Sequence, residues 1–179
     1  FYGATVLLGL IVVITFYLLV VYLVTGKSPR WFIRGIAPAQ LLAFSTSSSA
    51  ATLPVTMERV TEHLGVDNEV SSFVVPVGAT INMDGTSLYQ AVAAVFIAQA
   101  LHFPLEFSDQ LTIVLTALLA SIGSAAVPSA GMVMLVIVLE SIGIPADKLA
   151  IGLALIFAID RPLDMCRTVV NVTGDAMVS

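Results

Sequence analysis

Between Leu149 and Val178 an otherwise apolar run carries Asp160, Arg161, Asp164, Arg167, Asn171 and Asp175. Wound as an α-helix, Asp164, Arg167, Thr168, Asn171 and Asp175 fall within about 100° of one another, and Asp160 joins the stripe a turn earlier. Carboxylates, a guanidinium, a hydroxyl and a carboxamide on one face can do two things. They can hold a charged solute and its counter-ions, or an Asp164–Arg167 bridge can fasten helices together. The charge balance favours the first, because Asp84, Asp160, Asp164 and Asp175 (−4) outnumber Arg161 and Arg167 (+2). Uncompensated carboxylates in a low dielectric take up cations or protons.

Three further segments carry polar atoms where none are expected. Asn82-Met83-Asp84-Gly85-Thr86 interrupts two apolar stretches, Val70–Met83 and Gly85–Leu101. Ser45 to Thr52 is a run of small and hydroxyl residues between Pro38 and Pro54, and Ser121 to Gly131 is another, containing Pro128. Hydroxyls and prolines both withdraw backbone groups from helical bonding, and an unwound segment offers its carbonyls to a ligand. Other chemistry is poorly supplied. The lone Cys166 faces about 200° away from Asp164 and reads as structural, while His63 and His102 fall in loops. Ser49 has no nearby His or Lys to act as its base, so no enzyme is expected.

The elements that must position these groups are set by composition. The 179 residues are 58% hydrophobic and 11% charged, with a mean hydropathy of +1.02. A soluble domain carries about 25% charged residues, so an ordinary cytosolic enzyme and a disordered tail are excluded. A net charge of −5 leaves no footprint for nucleic acid. The chain reads as an all-α membrane protein. Residues 1–26 form an uncharged transmembrane helix, without the basic leader of a signal peptide, and the termini read as those of a piece of a longer chain. Residues 33–66 form a re-entrant hairpin, 70–101 an interrupted helix, 110–145 a second re-entrant hairpin and 148–178 a polar transmembrane helix. A break facing lipid would leave amides unpaired, which is why the hairpins must be packed within protein. Each small-residue tip precedes an Asn-x-x-Gly helix, a weak inverted repeat. Lys27, Arg30, Arg34 and Arg59 fall on one face against Lys148 on the other, placing the first face in the cytoplasm.

These motifs resemble the glutamate/aspartate transporter family of sodium–dicarboxylate symporters. The likeness rests on Ser47-Ser48-Ser49 with Thr52-Leu53-Pro54-Val55-Thr56, on Gly78-Ala79-Thr80-Ile81-Asn82-Met83-Asp84-Gly85-Thr86, on Ala120-Ser121-Ile122-Gly123-Ser124 with Val127-Pro128 and Gly131, and on Asp164 through Asp175. It implies the substrate-binding transport domain of a homotrimeric plasma- or inner-membrane symporter, with the scaffold helices elsewhere in the chain. By that resemblance Asp164 holds the substrate ammonium, Arg167 its side-chain carboxylate, and Thr168 and Asn171 its main-chain groups. Ser47, Ser49, Val127 and Gly131 close over it near Thr86, and Asp160 and Arg161 stand behind as supporting charges. Co-transported sodium ions are implied at Asp175 with the carbonyls of Gly78, Asn82 and Asn171. A second set is the carbonyls of Thr80, Ser121, Ile122 and Ser124 beside Met83, and a third uses Asp84 and Asn82. No organic cofactor is implied.

The sequence departs from the family pattern where many members carry an Arg: Ser47 and Met165 stand there, and Arg161, a turn below Met165, is the candidate replacement. Ala126 and Ser129 stand where some members have a flexible Gly, and Ser124 replaces a Thr. The function expected is sodium-coupled symport of L-aspartate or L-glutamate, with the 110–145 hairpin as gate. Its tip is expected to be the more mobile because it holds Gly123 and Gly131. The alternatives are a C4-dicarboxylate or neutral amino-acid carrier of the same family, which Asp164 and Arg167 respectively oppose, and an ion channel, which two occluding tips oppose.

Overall fold

The computed structural model describes residues 1–179 as eight helices with no strand. They are α1 (Tyr2–Thr25), α2 (Pro29–Thr46), α3 (Ser49–Glu62), α4 (Asn68–Ile81), α5 (Asp84–Ala100), α6 (Phe107–Ile122), α7 (Ala130–Ser141) and α8 (Ala146–Val178). Only α1 is long and apolar enough to cross a bilayer by composition alone; α6 and α7 are apolar but shorter.

Boundaries follow local chemistry. α2 starts at Pro29, ahead of the expected 33, because Ser28 caps it, accepting a hydrogen bond from the Trp31 N–H, and Pro29 sits at the first helical position. Arg30 and Arg34 therefore belong to a helix rather than to a loop. α6 starts at Phe107 through a capping box between Glu106 and Asp109. The Ser-rich break shrinks to Ser47-Ser48, since the flanking hydroxyls bond inside their own helices: Thr46 Oγ1 donates to Leu42 O, Thr52 Oγ1 to Ser48 O, and Thr56 Oγ1 to Thr52 O. The second break is longer, residues 123–129. Likewise only Asn82-Met83 separates α4 from α5.

α8 is the axis, packing against every other helix except α6. Its polar stripe is wholly interior, with Asp160, Asp164, Arg167, Thr168, Asn171 and Asp175 all buried. Apolar packing is divided between the two ends of the molecule. Val21, Phe32, Ile36, Val60, Val75 and Ala176 close the end where α1 passes into α2 and α3 into α4. A larger cluster, including Ile97, Ala98, Ile142, Ile144 and Leu149, closes the opposite end. The turn between α2 and α3 meets the turn between α6 and α7, where the Ala50 N–H and Ser48 Oγ both donate to Ala126 O.

Lipid tails are as apolar as leucine, so helices in a bilayer associate by close approach and interhelical hydrogen bonds more than by apolar burial. Glycines permit that approach. A Cβ on Gly85 would lie 2.6 Å from the Arg167 carbonyl oxygen and 2.9 Å from Asn171 Oδ1. Backbone cannot swing aside as a side chain can. Gly85→Ala is therefore expected to lower stability by about 1–3 kcal/mol, measured as a lower melting temperature of the purified protein; an unchanged melting temperature would show that α5 can shift without cost.

Candidate functional site

Arg167 is 3% exposed, and what surrounds it defines the centre. Its Nη2 lies 2.7 Å from Asp164 Oδ1 and its Nε donates to the same oxygen at 3.0 Å. The guanidinium lies 4.6 Å from the centre of the Tyr89 ring, a cation–π contact. Tyr89 is fixed in turn, its hydroxyl donating to Asp160 Oδ1 at 2.6 Å. Gly131 abuts the guanidinium so closely that a Cβ there would collide with Nη1. The internal Asp164–Arg167 bridge that charge counting disfavoured is thus formed. Three residues apart on one helix, the two groups satisfy each other.

The other carboxylates are not left bare, as the charge count had implied. Tyr17 OH donates to Asp84 Oδ2 at 2.6 Å, Asn82 Nδ2 to Asp175 Oδ1 at 3.2 Å, and Tyr89 to Asp160. Each donor is neutral, so the negative charges are hydrogen-bonded without being cancelled. Asp164 Oδ2 takes the Ser129 N–H at 2.8 Å, tying the second turn to α8.

Between the two turns lies a small cavity. The nine residues expected around a substrate, Ser47, Ser49, Thr86, Val127, Gly131, Asp164, Arg167, Thr168 and Asn171, all line it, with Met83, Ser124, Ala125, Ala126 and Ala130. Three lining residues carry a buried polar atom with no partner: Arg167 Nη1, Ser47 Oγ and Ser124 Oγ. An unmade hydrogen bond of this kind is costly. Asn171 bridges the broken helix, accepting from the Gly85 N–H and donating to Thr86 Oγ1. Arg161 stays outside the cavity, its side chain 54% exposed and 3.7 Å from Asp164 Oδ2. Cys166 faces away, packed among apolar neighbours.

Helix ends sort the charges. The N-termini of α3 and α7 point into the cavity, and the Gly131 N–H has no backbone acceptor. Such ends favour anions. Around the Asn82-Met83 break, by contrast, the carbonyls of Thr80 and Asn82 accept no backbone hydrogen bond. Nearby, Gly78 presses on Asp175, where an added Cβ would lie 2.6 Å from Oδ1. The Ile122 and Ser124 carbonyls are equally unclaimed, whereas that of Ser121 receives the Ser124 N–H. Hard cations favour such uncharged and carboxylate oxygens. No three His, Cys, Asp or Glu side chains converge as a transition-metal site would need.

Sequence reasoning missed Tyr89, Gln90, Tyr17 and Ser129. Gln90 is fully buried, donates to Gly131 O at 3.3 Å and leaves its Oε1 unpaired. Its position one turn after Thr86 was the available signal. Ser129 and Ser47 both adopt left-handed backbone, with φ of 60° and 53°, a conformation that costs a non-glycine residue about 1–2 kcal/mol. In the second turn Gly123 has φ of −84°, and Gly131 lies where a Cβ would collide with Arg167.

A family model, the sodium:dicarboxylate symporter family, matches residues 1–179. The chain belongs to this family. Among family relatives it is 50% identical over 180 residues to human excitatory amino acid transporter 5, covering 100% of this chain and 31% of the relative. It is 50% identical over 177 residues to human excitatory amino acid transporter 1, covering 98% of this chain and 32% of the relative. An excitatory amino acid transporter of Caenorhabditis elegans is 50% identical over 177 residues, covering 98% and 34%. The chain thus spans about a third of the length of these family members.

In the family's terms the buried guanidinium is the group to test. Truncating one partner of a buried charge pair costs about 2–5 kcal/mol. Were an acidic amino acid the ligand, Arg167→Cys would weaken its binding by roughly 30-fold to several thousand-fold, serine or alanine would gain relative to aspartate, and Asp164→Asn would abolish binding of all four. Competition binding across aspartate, glutamate, serine and alanine reads both. A retained aspartate preference in Arg167→Cys would move carboxylate recognition to Arg161.

Proposed function

We propose that this chain is the substrate-binding part of a sodium-coupled symporter of acidic amino acids, L-aspartate or L-glutamate. The observation that carries this reading is the Arg167 Nη1 with no partner, buried in a cavity that also holds the Asp164 carboxylate. A guanidinium can grip a carboxylate through two parallel hydrogen bonds, and Asp164 offers the opposite charge an ammonium needs. An amino acid with an acidic side chain has both groups.

In this reading α2–α3 (29–62) and α6–α7 (107–141) are the re-entrant hairpins 1 and 2 expected over 33–66 and 110–145, and the chain as a whole is the transport domain. The substrate rests on Thr168 and Asn171 and is covered by Ser47, Ser49, Val127 and Gly131. Sodium ions are taken up at Asp175 with Gly78, Asn82 and Asn171 carbonyls, at Thr80, Ser121, Ile122 and Ser124 beside Met83, and at Asp84 with Asn82. Hairpin 2 is the gate: its turn runs over residues 123–129, against Ser47-Ser48 in hairpin 1. Scaffold helices elsewhere in the full chain complete a homotrimer in the cell membrane.

Calorimetric binding of both amino acids to the complete transporter, with and without sodium, tests the reading. Linkage is reciprocal, so sodium should tighten substrate binding and substrate should tighten sodium binding; Asp175→Asn should shrink that coupling while leaving the fold intact. Equal affinity in sodium and choline buffers would overturn it. Hydrogen exchange tests the gate: residues 123–129 should exchange faster without substrate than residues 45–54, and the opposite order would assign gating to hairpin 1.

A further inference from the structure

Where α1 ends, the structure gathers the basic side chains that the sequence scatters. An open recess lies among Ser28, Arg30, Trp31, Arg34, Arg59 and His63. Arg59 is held in place, its Nε donating to the Gly35 carbonyl at 2.6 Å and its Nη1 to His63 Nε2 at 2.8 Å. Lys27 Nζ sits 5.6 Å from the centre of the Trp31 ring. No carboxylate lines the recess, and none of Lys27, Arg30, Arg34 or Arg59 lies within ion-pairing distance of an acid. The acids nearby in sequence, Glu58 and Glu62, are exposed and unpaired with them.

We propose that this recess binds a phosphate anion, supplied by the headgroup of an anionic phospholipid. Depth favours the lipid as the source. The apolar α1 runs to Thr25 and the basic residues begin at Lys27, so the recess opens where a spanning helix leaves the hydrocarbon. Leu23, Val24 and Ile33 beside it are exposed and apolar, a surface for acyl chains, and Trp31 is the residue type that settles at headgroup level. Guanidiniums match phosphate oxygens in pairs, and basic pockets between helices at the cytoplasmic face take anionic headgroups. A loop that carried positive charge only to fix orientation would need no pocket, and would not anchor one arginine across two helices. The recess lies at the far end of α2 and α3 from the Ser47-Ser48 turn, so an occupied headgroup site braces the base of that helix pair.

The test uses the complete transporter in neutral detergent, titrated with short-chain phosphatidylglycerol, with phosphatidylcholine of the same chain length, and with inorganic phosphate, followed by native mass spectrometry. One phosphatidylglycerol per protomer is expected to bind saturably and phosphatidylcholine far more weakly. Arg30→Gln/Arg34→Gln should weaken phosphatidylglycerol by about fivefold for each charge removed, while Lys148→Gln, at the opposite end, should not. The melting temperature of each variant is measured alongside, and Arg34→Lys, which keeps the charge, should retain most of the binding. Unchanged phosphatidylglycerol binding in the double variant, or equal loss in Lys148→Gln, overturns the site. Inorganic phosphate binding as tightly as the lipid overturns the lipid as its source.

Discussion

A charged guanidinium without water must be satisfied from every side, and much of this molecule is arranged around that requirement. Arg167 takes Asp164 on one edge and the face of Tyr89 below, and it tolerates nothing larger than Gly131 beside it. The requirement propagates outward. Tyr89 can offer its ring only because Asp160 fixes its hydroxyl, and Asp164 can face the guanidinium with one oxygen because the other is occupied by Ser129 N–H. What is left over, one Nη1 with no partner, is the part of the charge available to something else. Removing any member therefore disturbs several contacts, since neighbouring groups in one network do not contribute additively.

The same scarcity of water accounts for the broken helices. A helix stopped inside a bilayer exposes amides at one end and carbonyls at the other, and each needs a partner drawn from protein or cargo. Here the ends are segregated: α3 and α7 present amides to the cavity holding Arg167, and the last turn of α4 presents carbonyls beside Asp175. The positive and negative ends of the broken helices are thus kept apart.

How much was legible in the sequence depended on which rule was in force. The stripe on α8 could be read because helical periodicity is fixed, and six polar residues in an apolar run have no reason to share a face by accident. The composition pointed to the helical class, and the structure has no strand. The first break is shorter than the hydroxyl run from Ser45 to Thr52, because Ser45, Thr46 and Thr52 bond back to backbone carbonyls three or four residues earlier and leave only Ser47-Ser48 unwound. Charge counting also misled at Asp164–Arg167, because formal charge ignores the neutral donors, Tyr17, Tyr89 and Asn82, that make the surplus carboxylates tolerable. Those partners lie tens of residues away in sequence, and no local pattern announces them.

The seam where the two turns meet is slight. Ala126 O receives both donors from the first turn. The second helix pair is held elsewhere by the Ser129 bond to Asp164, the Gln90 bond to Gly131 and the apolar packing of α6 and α7 on α5. At about 0.5–1.5 kcal/mol net apiece, the two bonds to Ala126 O join the turns by only about 1–3 kcal/mol. The two turns therefore touch without being fastened, and each owes its position to the helices it belongs to rather than to the other turn.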